Sequence, residues 1–136
     1  MINLFELRNR LINTIGASYD IYSKNPLISL ISSIINDITG YKDRFKELKD
    51  CEIDYLPLSY YSIRCLYFSG SIATSILELD SILNELEICK IGIVFDGNYY
   101  AKRVTILKKL LKSFADFNWI PSDFEKKSNA LILKKK

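Results

Sequence analysis

Apolar residues recur every three or four positions through the N-terminal half of the chain, a spacing that predicts helices. The first such stretch predicts a helix over about residues 2–15, in which Leu4, Leu7 and Leu11 share one side. Gly16 ends it, because glycine readily adopts the left-handed conformation that closes many helices. The chain therefore opens with an amphipathic helix.

The second stretch shows the clearest helical pattern. Asn25 provides an N-cap, Pro26 suits the first turn, and Gly40 provides the stop. A shorter, charged helix is predicted to follow over residues 42–49. The broad apolar stripe of the second helix comprises Leu27, Leu30, Ile31, Ile34, Ile35 and Ile38.

The segment over residues 58–68 fits two structures. Its aromatic residues and its alternating pattern permit a strand. The spacing of Tyr60, Ile63 and Leu66 also fits a helix, and the segment leads into a clear helical pattern over residues 71–88. We predict helix for both parts, with a strand over the first part as the alternative.

The pattern changes towards the C-terminus. A short β-branched run over residues 89–95 predicts a strand, and turn-forming residues at 96–98 end it. A helix is then predicted over residues 99–117, and a final short strand over residues 129–136. Pro121 interrupts the stretch between them.

Together these elements predict an α+β fold that is predominantly α-helical. Residues 1–88 form an N-terminal helical bundle in this prediction, and residues 89–136 form a small C-terminal β-α-β element of the same single domain. The 136 residues suffice for one buried core, and 49% apolar with 26% charged residues is typical of an ordered globular protein.

The charge of the chain divides between these two parts. Residues 1–89 contain eight Lys and Arg against twelve Asp and Glu, a balance of −4. Residues 90–136 contain eleven Lys and Arg against four Asp and Glu, a balance of +7. Because asymmetry on this scale favours a polyanion-facing end, the C-terminal part is the candidate for nucleic-acid contact.

Basic and aromatic side chains mark the predicted helix over residues 99–117. Lysine and arginine neutralise backbone phosphates, and aromatic rings stack on the unpaired bases of single-stranded DNA or RNA. The alternative is an ordinary solvated helix face followed by a solvating lysine tail. The candidate nucleic-acid-binding residues are Lys102, Arg103, Lys108, Lys109, Lys112, Tyr99, Tyr100 and Trp119.

Acidic residues mark the outer side of the preceding helix, over residues 71–88. Glu78 and Glu85, together with Asp80 and Glu87, spread along the helix instead of converging on one point. We interpret Glu78 and Glu85 as a candidate docking surface for a basic protein partner or for a second copy of the chain. The alternative is a solvated face.

Tyrosines cluster in the middle of the chain, at Tyr55, Tyr60, Tyr61 and Tyr67. A nucleophilic tyrosine requires a constellation of arginine and histidine, which the chain cannot supply. We therefore interpret the cluster as core or interface packing, with an exposed patch used in association as the alternative.

The chain contains no histidine. This excludes Ser-His-Asp and Cys-His catalysis, histidine-ligated zinc and the usual general base near neutral pH. The sequence also lacks a glycine-rich phosphate loop, and we expect no catalytic residue, metal or cofactor. The enzymatic alternative is a metal-dependent nuclease that pairs Asp96 with Glu125 and Lys127, an E-x-K element.

Cysteine spacing and hydropathy bear on the compartment. Cys51, Cys65 and Cys89 are odd in number and form no CxxC pair, which favours buried thiols in a reducing compartment. No apolar run reaches the roughly 18–20 residues of a membrane span, and the N-terminus lacks the pattern of a secretory signal. We expect a cytoplasmic protein, or one of the host cytoplasm if its source is viral.

These features favour a non-catalytic small binding protein that self-associates or docks on a protein partner and contacts nucleic acid through its basic C-terminal helix. In organisation it resembles the small helical subunits of nucleoprotein complexes, including CRISPR effector complexes, and small proteins of archaeal viruses. The alternative is a protein-interaction module, such as a viral or host inhibitor or adaptor, without nucleic-acid binding. A metal-dependent nuclease is the third alternative.

Overall fold

A computed structural model shows how these stretches fold. In the residues that it describes, five helices and six strands form a predominantly helical α+β structure with a four-stranded sheet. Residues 41–44, 52 and 100–104 are described by their backbone alone. The described residues are 2–16, 20–44, 52–67, 70–95, 100–126 and 129–136.

Helices and strands are interspersed along the chain. The helices are α1 (Leu4–Ile15), α2 (Pro26–Arg44), α3 (Tyr60–Tyr67), α4 (Ile72–Glu85) and α5 (Tyr100–Asp116). The strands are β1 (Ile2–Asn3), β2 (Glu52–Ile53), β3 (Leu56–Leu58), β4 (Lys90–Val94), β5 (Trp119–Glu125) and β6 (Ala130–Lys135). The helices predicted over 2–15, 71–88 and 99–117 are confirmed, as are the strands predicted over 89–95 and 129–136.

The helix α2 lies at the centre of the helical layer. Every residue from 30 to 35 is buried, and α2 contacts α1, α3, α4 and β3. Its N-cap is the predicted one, because the Asn25 Oδ1 accepts a hydrogen bond from the Leu27 N–H at 3.0 Å. A helix packed on several sides is stabilised mainly by burial and less by the propensities of its residues.

The four-stranded sheet joins both parts of the chain. Its strand order is β3-β4-β6-β5, with β3 parallel to β4, and β6 antiparallel to both of its neighbours. The helices α3 and α4 connect β3 to β4, and α5 connects β4 to β5. These connections bring α3 and α5 into contact with each other.

Three predictions about the elements were wrong. The helix α2 does not stop at Gly40 but continues to Arg44, and the rest of the charged helix predicted over 42–49 lies outside the described residues. Pro121 does not end the secondary structure, since it lies inside the edge strand β5, where the missing N–H of a proline is tolerated, although the pairing register with β6 shifts between Pro121 and Asp123. The strand β3 was not predicted, so the sheet is not confined to residues 89–136.

Candidate nucleic-acid interface

Three lysines of α5 lie on its solvent side. Lys108, Lys109 and Lys112 are exposed, whereas Phe114 of the same helix is fully buried. The 3.6-residue period therefore separates a basic side of α5 from an apolar side that faces the core. Asp116, the last residue of the helix, is also exposed, so the basic side of α5 ends at an acidic residue.

The remaining predicted residues of this helix are described only in part. Tyr100 is the first residue of α5, and Lys102 and Arg103 lie in its first turn, all three described by their backbone alone. Tyr99 lies outside the described residues. Nucleic-acid contacts by these four side chains stay predictions.

Lys109 connects α5 to α3. Its Nζ donates a hydrogen bond to the Tyr67 hydroxyl at 3.5 Å and lies 5.8 Å from the centroid of the Tyr67 ring. A cation within about 6 Å of an aromatic ring is attracted by the quadrupole of the ring. The basic side of α5 is therefore continuous with an aromatic side chain of α3.

The outer side of α3 combines aromatic and basic side chains. Tyr60, Arg64 and Tyr67 are spaced by four and three residues, and the Arg64 Cζ lies 6.0 Å from the centroid of the Tyr60 ring. Tyr61 is 67% exposed, and Arg64 is exposed beside it. The name α3–α5 surface refers to the side chains of Tyr61, Arg64, Tyr67, Lys108, Lys109 and Lys112.

The sequence interpretation missed the α3 part of this surface. Of the tyrosine cluster, Tyr55 packs in the core, at 6% exposed, whereas Tyr61 does not; for Tyr61 a role in an interface or an exposed association patch stays a prediction. Once residues 58–68 are taken as a helix, the spacing of Tyr60, Arg64 and Tyr67 places them along one side. That spacing is the sequence signal that identifies the surface.

A buried polar network holds α3 against α2. The Asp37 Oδ2 accepts hydrogen bonds from the Ser62 hydroxyl at 2.6 Å and from the Ser59 N–H at 2.9 Å, and the Ser62 Oγ lies 2.9 Å from the Ser33 Oγ. The carboxylate thus lies at the positive N-terminal end of α3. Because Ser62 is fully buried, its hydrogen bonds with Asp37 and Ser33 fix the position of α3 against α2.

Trp119 is not available for stacking. Its side chain is 1% exposed, and its Nε1 donates a hydrogen bond to the Asp80 Oδ1 at 2.8 Å. The Lys135 Nζ lies 2.6 Å from the same oxygen and 5.6 Å from the centroid of the Trp119 ring. The prediction that Trp119 stacks on bases is corrected by this burial, since a base cannot reach the ring.

The acidic residues of α4 divide between two environments. Glu85 is exposed and Glu78 is half-buried, so both remain candidates for docking a protein partner, and that role stays a prediction. The sequence pattern indicated that Asp80 faces solvent. Instead, its carboxylate contacts Trp119 and Lys135. The helix period alone could not reveal this pairing.

A cleft of about 430 Å³ lies beside the α3–α5 surface, between the turn that precedes α2 and the outer side of α3. Hydrogen bonds order the turn. The Asp20 Oδ1 accepts from the Tyr22 N–H at 2.8 Å, and the Ser29 hydroxyl of α2 donates to the Ser23 carbonyl at 2.8 Å. Tyr61 and Arg64 form the α3 wall, so the cleft and the surface share two residues.

The thiol of Cys65 also lines this cleft. Burial raises the pKa of the thiol above its ordinary value, and the negative charge of Asp37 raises it further. The Ser33 hydroxyl and the Arg64 guanidinium oppose this shift without reversing it. A thiol with a raised pKa is protonated at neutral pH and is a poor nucleophile.

The described residues contain no metal centre of the usual composition. Across them, no three His, Cys, Asp or Glu side chains lie close enough together to hold a metal ion. Glu125 lies at the end of the edge strand β5, and Asp96 lies outside the described residues, so the pairing of these carboxylates stays a prediction. In the same part of the chain, no helix combines the length and the apolar character that crossing a bilayer requires.

Comparisons of the chain with protein-family models, with curated proteins and with solved structures find no match.

Proposed function

We propose that the protein is a non-catalytic binding protein whose α3–α5 surface contacts single-stranded nucleic acid. The observation that supports this most directly is the contact of Lys109 with Tyr67. It joins a basic helix side, which suits phosphates, to an aromatic helix side, which suits bases. Proteins that bind single strands combine these two kinds of side chain on one surface.

The aromatic part of the surface favours single strands over duplexes. Bases in a duplex are stacked on each other, and an aromatic side chain reaches their faces only when they are unpaired. Tyr61 is 67% exposed, and Arg64 provides a planar cation beside it. Lys108 and Lys112 extend the surface as point charges for the phosphate backbone.

A salt titration of two matched variants tests this proposal. Fluorescence anisotropy of a labelled 15-nucleotide single strand measures affinity between 50 and 300 mM salt. Each phosphate contact contributes about 0.7 to the slope of log affinity against log salt on single strands. We therefore expect K108A/K112A to bind more weakly than the wild-type chain and to show a slope that is shallower by about 1.4.

The control variant K126A/K134A removes the same charge from two exposed lysines, Lys126 directly after β5 and Lys134 in β6. We expect it to keep the wild-type slope, because neither lysine belongs to the α3–α5 surface. If the two variants lose equal affinity for the strand, net charge and not the α3–α5 surface drives binding. No affinity of the wild-type chain for DNA or RNA at low salt contradicts the proposal altogether.

A further inference from the structure

The cleft beside the α3–α5 surface has the dimensions of a small-molecule site. Its volume of about 430 Å³ lies within the range of roughly 300–1,000 Å³ that such sites occupy. Three ordered elements form it, the hydrogen-bonded turn before α2, the helix α2 itself and the helix α3. The lining residues with chemistry relevant to a ligand are Tyr22, Lys24, Ser33, Tyr61, Arg64 and Cys65.

Two tyrosine rings at this cleft are unusually exposed. Tyr22 is 86% exposed and Tyr61 is 67% exposed, and they come from different elements that are 39 positions apart in the chain. Single exposed aromatic rings are ordinary, but two rings that line one cleft provide two stacking faces for a planar ligand. The ligand expected from these rings is an aromatic one.

The charge of the cleft favours an anion. Lys24 and Arg64 line it, and its described lining residues include no carboxylate. The Cys65 thiol places no negative charge on the wall, because a thiol is ordinarily neutral at physiological pH and burial and the nearby Asp37 raise its pKa further. A nucleotide carries both an aromatic base and an anionic phosphate, and it therefore matches both features of the cleft.

We infer that this cleft binds one nucleotide unit of a single strand, with its base against Tyr22 and Tyr61 and its phosphate near Lys24 and Arg64. The inference rests on the proposed function, since Arg64 and Tyr61 belong to the cleft and to the α3–α5 surface. A strand that leaves the cleft past Arg64 continues along Tyr67 towards Lys109. A free mononucleotide has the same chemistry and is the other source of this ligand.

A double variant tests the aromatic walls. Y22A/Y61A removes both rings, and F5A serves as the control because Phe5 is an aromatic residue of α1 that is 62% exposed. Stacking of one base typically accounts for a fivefold or larger change in affinity. We expect Y22A/Y61A to bind the 15-nucleotide strand at least about fivefold more weakly, and F5A to bind like the wild-type chain. Equal circular dichroism and thermal midpoints establish that the variants fold.

Backbone amide spectra of the ¹⁵N-labelled chain distinguish the two sources. Titration with the single strand should shift the amides of residues 20–33 and 61–65 at micromolar concentrations. Adenosine monophosphate should shift the same amides only at much higher concentrations. If the monophosphate binds as tightly as the strand, the ligand is a free nucleotide, and the assignment to a single strand is overturned.

The two proposals fail separately. If K108A/K112A weakens strand binding while Y22A/Y61A binds like F5A and the cleft amides do not shift, the cleft inference is wrong and the proposed function holds. If adenosine monophosphate shifts the cleft amides while no strand binds, the proposed function is wrong and the cleft is a nucleotide site. If neither ligand binds, both are wrong.

Discussion

At the scale of single residues, environment decides what a side chain does. Tyr55 and Tyr61 are separated by six positions, yet one is buried against the sheet and the other lies on the surface. The sequence pattern predicted both Trp119 and Asp80 to face outward, yet the two side chains contact each other and Trp119 is 1% exposed. Composition and spacing identified the residue types of the candidate site, but not which of them reach solvent.

The raised pKa of Cys65 leads to a prediction about its reactivity. The neutral thiol is the favoured form, so its contribution to stability is fully present below the ordinary pKa and is lost as pH rises through the raised pKa. Only the thiolate reacts with iodoacetamide. We therefore expect slower alkylation of Cys65 than of the exposed Cys89 at pH 8, with a difference that narrows at higher pH.

Mass spectrometry of the peptides that contain each cysteine measures both rates in one sample. The same reaction in denaturant is the control, because unfolding removes the burial and the two rates should then become similar. Alkylation of Cys65 as fast as that of Cys89 in the folded chain contradicts the assigned environment.

At the scale of elements, tertiary contacts overrode two local stop signals. Gly40 lies inside α2 because the burial of α2 against its neighbours exceeds the cost of about 1 kcal/mol that glycine imposes on a helix. Pro57 and Pro121 lie in β3 and β5, the two edge strands of the four-stranded sheet. At an edge a missing N–H leaves no neighbour unpaired, and it hinders pairing with another chain.

Two glycine substitutions test the packing of β4 and α2, and we expect them to change the free energy of unfolding in opposite directions. In β4, a Cβ at Gly92 would overlap the ring of Tyr55, so we expect G92A to lower the free energy of unfolding by about 1–3 kcal/mol. In α2, a Cβ at Gly40 meets no atom of the described residues within 4 Å. We expect G40A to raise the same quantity by about 0.5–1 kcal/mol.

Urea denaturation followed by circular dichroism measures both changes, and each variant serves as the control of the other. A stabilising G92A would mean that Tyr55 does not lie across β4. A destabilising G40A would mean that this part of α2 requires glycine for a reason other than space.

At the scale of the whole molecule, Asp80 ties α4 to the hairpin of β5 and β6. The Asp80 Oδ1 accepts from the buried Trp119 Nε1 and from the Lys135 Nζ, which also donates to the Phe117 carbonyl at 2.8 Å. Removing the carboxylate leaves the indole N–H without this acceptor in a buried position. We expect D80A to lower the free energy of unfolding by about 1–3 kcal/mol.

The exposed Asp54 offers a matched control, since D54A removes the same group and charge from an exposed position. Its free energy of unfolding should stay within about 0.5 kcal/mol of the wild-type value. Fluorescence of Trp119, the only tryptophan of the chain, follows unfolding in both variants. If D80A and D54A lower the free energy of unfolding equally, the contact of Asp80 with Trp119 and Lys135 does not stabilise the fold.

The sequence by itself determined the features that depend on near neighbours in the chain. The start of α2 at Asn25 and Pro26, the strand β4 and the basic side of α5 follow from capping chemistry, from periodicity and from local charge. Tertiary structure decided the rest: the pairing of β3 with β4, the burial of Trp119, and the meeting of Tyr67 with Lys109. These contacts join residues 39 and 42 positions apart in the cases of Trp119 with Asp80 and Lys109 with Tyr67. No local pattern encodes such pairs, because they form only when packed elements bring distant parts of the chain together.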